Sequence, residues 1–159
     1  MVFSPSMKHL LIIYHSQGGK TQRMADSVFA GACHEDIDAV ETRFLRALEA
    51  GLDDLLWADA LIIGSPENFG YMAGAIKDFL DRTFYPAQGK VEGLPYSVFV
   101  CAGNDGTGAV TSIQRIARGY PFREVQEPLV CRGDVTPDVV TRCEEFGMTM
   151  AAGLEIGAF

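Results

Sequence analysis

The sequence predicts an α/β fold: a five-stranded parallel sheet in the order 2-1-3-4-5, with helices on both faces. Three observations predict it. Five short apolar runs alternate with segments whose apolar residues recur every three or four positions, and no hairpin signal joins one run to the next. One run, Ala60-Leu61-Ile62-Ile63-Gly64, is apolar throughout, as a strand covered on both sides must be. Consecutive parallel strands then need helical crossovers of one hand, which leaves few topologies.

Taken in order, Lys8 to His15 is the first strand and Thr21 to Cys33 a helix with Met24, Val28 and Ala32 on one face. Ala39 to Phe44 alternates as a strand, and Leu48, Leu52, Leu55 and Leu56 line a second helix. The third strand is Ala60 to Gly64. After the loop Ser65 to Gly70, Met72, Ile76, Phe79 and Leu80 mark a third helix. Tyr96 to Ala102 is the fourth strand, followed by the glycine-rich loop Gly103 to Gly108 and a helix ending near Gly119. Val125 to Cys131 is the fifth strand. Thr136-Pro137-Asp138 opens the last helix with a capping hydroxyl, a first-turn proline and an acid suited to the helix dipole, and Val139, Cys143, Phe146 and Met150 supply its inner face.

A chain of 159 residues, 48% hydrophobic and 21% charged, is expected to form one domain over 8–159, with 1–7 as a disordered leader. At that length about 70% of the unfolded surface is buried and no covalent staple is required. Cys33, Cys101, Cys131 and Cys143 form no C-x-x-C pair, and the three histidines have no metal-ligand spacing, so a reduced, cytoplasmic protein without a metal site is expected. No apolar run near the start is long enough to span a membrane. A net charge of −8 disfavours nucleic acid and anionic membrane as partners and serves solubility.

The most informative stretch is Ser16-Gln17-Gly18-Gly19-Lys20-Thr21, where an apolar strand breaks into two glycines before a helix begins. Paired glycines let backbone N–H groups turn inward, and the helix start adds its own unpaired N–H groups and positive dipole end, so an anion is expected there. A nucleoside-triphosphate loop is refused by spacing: its first glycine would fall at Tyr14. A single phosphate suits the shorter loop. A strand-to-helix turn that uses glycine for geometry alone stands beside that reading. In the order 2-1-3-4-5, however, the loops after strands one, three and four lie side by side, and ligands of such sheets bind beyond the strands' carboxyl ends.

The phosphate loop, together with Gly64-Ser65-Pro66-Glu67-Asn68-Phe69-Gly70-Tyr71-Met72-Ala73-Gly74 and Lys77, Phe79, Leu80 and Asp81 behind it, resembles the flavodoxin-like FMN proteins. The chain looks most like the tryptophan-repressor-binding-protein type of quinone reductase and the related NAD(P)H-dependent FMN reductases, over roughly Lys8 to Leu154. The resemblance implies FMN with its phosphate on the first loop, its ring edge against Glu67-Asn68-Phe69 and its polar edge against Cys101 to Gly106. It implies NAD(P)H as donor and a quinone or similar small molecule as acceptor, with the flavin carrying the chemistry and no catalytic side chain. The alternative is an electron carrier that docks on a redox protein, and a homo-oligomer is left open. This chain lacks the insertion after the fourth strand found in quinone reductases of that branch. It also has no tryptophan where many carrier flavodoxins stack one.

The expected cofactor set is therefore Ser16, Gln17, Gly18, Gly19, Lys20 and Thr21; Pro66, Glu67, Asn68, Phe69 and Gly70; and Cys101, Ala102, Gly103, Asn104, Asp105 and Gly106. Ser16 and Thr21 offer hydroxyl donors, whereas Lys20 either reaches the phosphate or faces solvent. Phe69 and Tyr71 offer aromatic surface, one to a flat ring and the other as a plug onto the sheet, with Phe69 favoured for the ring. Gly103, Gly106 and Gly108 permit close backbone approach, and Asn104 or Asp105 either accepts from a ring N–H or makes a turn. Rival chemistries fail on spacing. A phosphatase loop would need arginine where Thr107 or Pro137 stands, and a hydrolase elbow would need glycine at Phe99. Cys101 reads as a buried strand end, His15 as a locally bonded strand-terminal histidine, and Asp53, Asp54 and Asp59 as a solvated face.

Overall fold

The strands of this chain are apolar on both sides because helices cover both faces of the sheet. In the computed structural model, which describes residues 6–159, the order is β1 (Lys8–Tyr14), α1 (Lys20–Ala32), β2 (Val40–Arg46), α2 (Leu52–Trp57), β3 (Ala60–Asn68), β4 (Tyr71–Met72), α3 (Gly74–Ala87), β5 (Pro95–Ala102), α4 (Thr107–Gly119), β6 (Arg123–Glu124), β7 (Leu129–Arg132) and α5 (Pro137–Glu155). Of the expected leader, residues 1–5 lie outside the described residues, and Ser6 and Met7 are exposed without regular structure.

The main strands are all parallel and run β2-β1-β3-β5-β6, with β7 also paired to β5. Counting β6 and β7 as the two ends of the fifth strand, this is the expected order 2-1-3-4-5. Successive side chains alternate faces. Leu11 and Ile13 of β1, Leu61 and Ile63 of β3, and Val98 and Val100 of β5 meet Leu55 of α2, Ile76 and Phe79 of α3, and Ile113 of α4. Their neighbours Leu10, Ile12, Ile62 and Phe99 meet Met24 and Val28 of α1 and Cys143 and Met150 of α5. Gly64 of β3 faces Phe99 of β5, and a Cβ there would lie 2.0 Å from the phenyl ring. The α5 cap forms as expected, with the Thr136 hydroxyl accepting from the Val139 N–H at 3.3 Å.

Four expectations need correction. The loop after the third strand is a hairpin: β3 continues to Asn68 and folds back, pairing Glu67 with Met72 and Asn68 with Tyr71. Met72 therefore belongs to β4, and α3 starts at Gly74. No Asn-Gly turn announced this, because Phe69 itself takes the left-handed conformation at φ 52° ahead of Gly70 at φ 72°. Leu48 does not line a helix; α2 begins only at Leu52, and Leu48 is exposed in the preceding turn. The fifth strand is split, since residues 125–128 leave the sheet between β6 and β7. Finally, Asp54 departs from the solvated face: it pairs with Arg43 at 3.0 Å and accepts from the Gly51 N–H at 2.9 Å, whereas Asp53 and Asp59 are exposed as expected, Asp59 accepting from the His9 N–H at 2.9 Å.

Candidate functional site

β1, β3 and β5 lie side by side and end at the same edge, so the three loops that follow them meet. They enclose a cleft of about 290 Å³. The first loop contributes Gln17, Gly18, Lys20 and Thr21, the β3 end Pro66 and Asn68, and the β5 end Cys101, Ala102 and Gly103. Nine of the expected site residues thus share one wall-to-wall space. The sequence reading missed Gly133, which also lines the cleft from the β7–α5 turn. Its signal was faint: a single glycine after a strand whose lower half leaves the sheet.

The first loop is built to present backbone donors. Gly19 caps α1 in the left-handed conformation at φ 94°, and a Cβ on Gly18 or Gly19 would meet nothing within 4 Å. The first turn closes above the loop, with the Arg23 N–H donating to the Gly19 carbonyl at 3.1 Å and the Gln22 N–H to Ser16 Oγ at 3.1 Å. Among the described residues the N–H groups of Gln17 to Thr21 make no hydrogen bond. They gather at the positive end of a thirteen-residue helix, a ready anion site. Ser16 accepts through its oxygen and keeps its proton to donate. Thr21 is nearly buried yet faces the cleft. Lys20 lines the cleft, and its Nζ lies 3.1 Å from the exposed Asp134, tying the first loop to the β7–α5 turn.

The hairpin is fixed in place from below. Glu67 accepts from the Ala109 N–H at 3.1 Å, capping the first turn of α4, so its carboxylate is engaged away from the cleft. Ser65 Oγ accepts from the Ala73 N–H at 2.9 Å, and Ser112 Oγ accepts from the Met72 N–H at 3.1 Å. The tip lies on α4 so closely that a Cβ on Gly108 would meet the Gly70 carbonyl oxygen at 1.9 Å. Asn68 donates to Gln17 Oε1 at 3.2 Å, which joins the first and second loops across the cleft. Phe69, at the tip, is fully exposed, and Tyr71 is partly so, so neither serves as a plug onto the sheet.

In the third loop Asp105 accepts from the Thr107 N–H at 3.0 Å and its carbonyl accepts from Arg132 Nε at 3.2 Å, which makes it a turn residue. Asn104 is exposed, and Gly106 caps α4 at φ 77°, where a Cβ would press on Val130 at 2.7 Å. Burial pushes the Cys101 thiol up from its ordinary pKa, and the neighbouring Cys131 adds to the effect. A protonated thiol is a poor nucleophile. Burial, with help from Arg46, holds the His15 imidazole below its ordinary pKa.

The family of NADPH-dependent FMN reductases matches residues 21–120, from the first turn of α1 through the hairpin to the end of α4. This chain belongs to that family. Among similar proteins, a flavodoxin of Aquifex aeolicus (strain VF5) is 34% identical over 119 residues, covering 73% of this chain and 63% of the relative. An NAD(P)H dehydrogenase (quinone) of Acidithiobacillus ferrooxidans is 32% identical over 126 residues, covering 67% of this chain and 63% of the relative. The chain therefore spans less than two thirds of the length of these relatives. Oxidised flavodoxin 1 from Bacillus cereus superposes with a TM-score of 0.78 at 19% identity, covering 92% of this chain and 99% of that one, which shows a shared flavodoxin-like fold.

Proposed function

We propose that this FMN reductase family member binds FMN in the cleft and uses it to pass electrons from NADPH or NADH to a quinone or a similar small acceptor. The observation that carries the reading is the row of unpartnered N–H groups from Gln17 to Thr21 at the start of α1, open on the side where two glycines lack a Cβ. Such a cradle holds a phosphate dianion through neutral donors, and Lys20, which lines the cleft, shares its charge with the exposed Asp134. The Ser16 and Thr21 hydroxyls add donors. Pro66, Asn68 and Cys101 to Gly103 would line the flat ring, with backbone groups of the third loop at its polar edge. Phe69, exposed at the hairpin tip, would shield one ring edge from water.

Bound FMN supplies hydride acceptance and onward electron transfer, and the protein's share is placement, water exclusion and hydrogen bonding. No side chain is required as acid or base. This agrees with the neutral thiol of Cys101 and with the absence of a triad spacing. The second reading, a carrier that docks on another redox protein, is favoured by the flavodoxin relative and by the net charge of −8.

Steady-state assay of FMN-loaded protein separates the two. The reductase reading expects repeated oxidation of NADPH or NADH in the presence of a soluble quinone. Reduction of the bound flavin over many minutes, alongside fast reduction by a reductase protein, would establish the carrier instead. Protein that takes up no flavin would overturn both.

A further inference from the structure

Behind the hairpin lies a second and larger cavity, of about 630 Å³, between Gly70 and Tyr71 of the hairpin, Lys77 of α3, and Thr111 and Arg115 of α4. It begins one residue beyond Phe69. Its electrostatics differ from those of the rest of the molecule. The chain carries 21 acidic and 13 basic residues, yet α4 runs from Thr107 to Gly119 with two arginines and no acid. Arg115 is exposed and makes no ion pair among the described residues. Lys77 also faces the groove, but its Nζ lies 2.8 Å from both oxygens of Asp81, so its charge is largely answered. Arg115 is thus the cation left for a ligand. Tyr71 adds a partly exposed ring at the end nearest the hairpin tip.

We propose that this groove receives the phosphate-bearing arm of the dinucleotide donor, with Arg115 as its anion contact and Tyr71 as an apolar surface for the base; the proposal rests on the donor reading above. The fit is chemical. An acidic protein repels a polyphosphate over most of its surface, and a net positive helix beside the ring loop is where such a ligand is held. The guanidinium forms paired hydrogen bonds with phosphate oxygens, a contact that an ammonium does not reproduce. The groove is lined by Gly70 and Tyr71 of the same hairpin whose Asn68 and Pro66 line the cleft, so one hairpin borders both spaces. The cavity is also within the size range of nucleotide-scale pockets, roughly 300 to 1,000 Å³.

The test uses the full chain loaded with FMN and four proteins: wild type, Arg115→Glu, Arg115→Lys and Arg118→Glu. Arg118 lies one turn along the same helix, is exposed and does not line the groove, so it carries the same charge change without the contact. Calorimetric titration with 2′-phospho-ADP-ribose, the donor arm without its nicotinamide, is expected to show binding that Arg115→Glu weakens about tenfold or more. Arg115→Lys should fall between, and Arg118→Glu should stay within about twofold of wild type. The KM for NADPH should rise in the same order with kcat nearly constant, while FMN affinity and melting temperature stay put. Equal weakening by Arg115→Glu and Arg118→Glu would reduce the effect to overall charge and overturn the site, as would a wild type that does not bind the arm. Loss of arm binding in Arg115→Glu without any NADPH turnover in wild type would keep the groove and remove the reductase reading.

Discussion

Thr21 is a nearly buried residue at the start of a helix, and it faces the cleft. Its hydroxyl is a donor that a phosphate bound in the cleft would accept from. Thr21→Val keeps the shape and removes the hydroxyl. FMN affinity should drop by roughly tenfold or more, as loss of a charge-assisted hydrogen bond worth about 1.5–3 kcal/mol requires. Riboflavin, which has no phosphate, should bind with unchanged affinity, and fluorescence titration of both flavins checks this. Equal losses for the two would detach Thr21 from the phosphate. At this scale the sequence was readable where a residue acts locally. Gly18 and Gly19 announce a loop of open backbone N–H groups at the start of α1 because their effect is on the backbone beside them. Glu67 was not readable in the same way: its carboxylate caps a helix 42 positions away, a role set by tertiary packing. Gly133 enters the cleft by the same route, through a turn that only the assembled sheet brings near Gln17.

At the scale of elements, the clearest lesson is the contact between α1 and α5. Both helices cover the same face, and they approach until backbone meets backbone. A Cβ on Gly31 would lie 1.8 Å from the Glu144 carbonyl oxygen, and one on Gly147 would lie 1.9 Å from that of Val28. Gly31→Ala should therefore push the helices apart and destabilise the protein by about 1–3 kcal/mol or more, despite the better helix propensity of alanine. Gly119→Ala, at the end of α4 with open space around it, should be neutral or slightly stabilising. Denaturant midpoints of the two variants measure the contrast, and equal midpoints would disprove the close approach. Helix periodicity located α1 and α5 in the sequence, because apolar spacing reports which face is buried. It does not report how near the neighbour comes. The hairpin escaped for a related reason: a turn usually advertised by asparagine or glycine is here begun by Phe69 at positive φ, a conformation of the kind that concentrates at functional sites. Strand order, by contrast, followed from the alternation of five apolar runs with helices, because crossover rules leave few choices.

At the scale of the whole molecule, the buried titratable groups set the pH range in which the fold holds. Burial pushes Tyr96 and Tyr120 up to about 12 from an ordinary value of 10.0, and Cys143 up to about 12 from 9.0. These groups are neutral when protonated, and the folded core favours that form. Their stabilisation is fully present below about pH 9. Above that the unfolded chain releases protons that the folded chain retains, so stability falls as pH rises from about 9 towards 12. His15 acts at the other end. Its pKa is lowered in the fold, so the unfolded state binds the proton more readily and stability falls as pH drops through the ordinary value of 6.5. The flavin-free protein should thus be most stable in the window between, and urea midpoints taken from pH 5.5 to 10.5 should decline towards both limits. Tyr120→Phe removes one of the alkaline groups along with its hydrogen bonds to Thr83 and the Leu80 carbonyl. It should lower the midpoint at pH 7.5 yet make the alkaline decline shallower, a pair of opposite effects that loss of packing alone does not produce. An alkaline slope unchanged in Tyr120→Phe would mean that this tyrosine ionises in the folded state as readily as in the unfolded one.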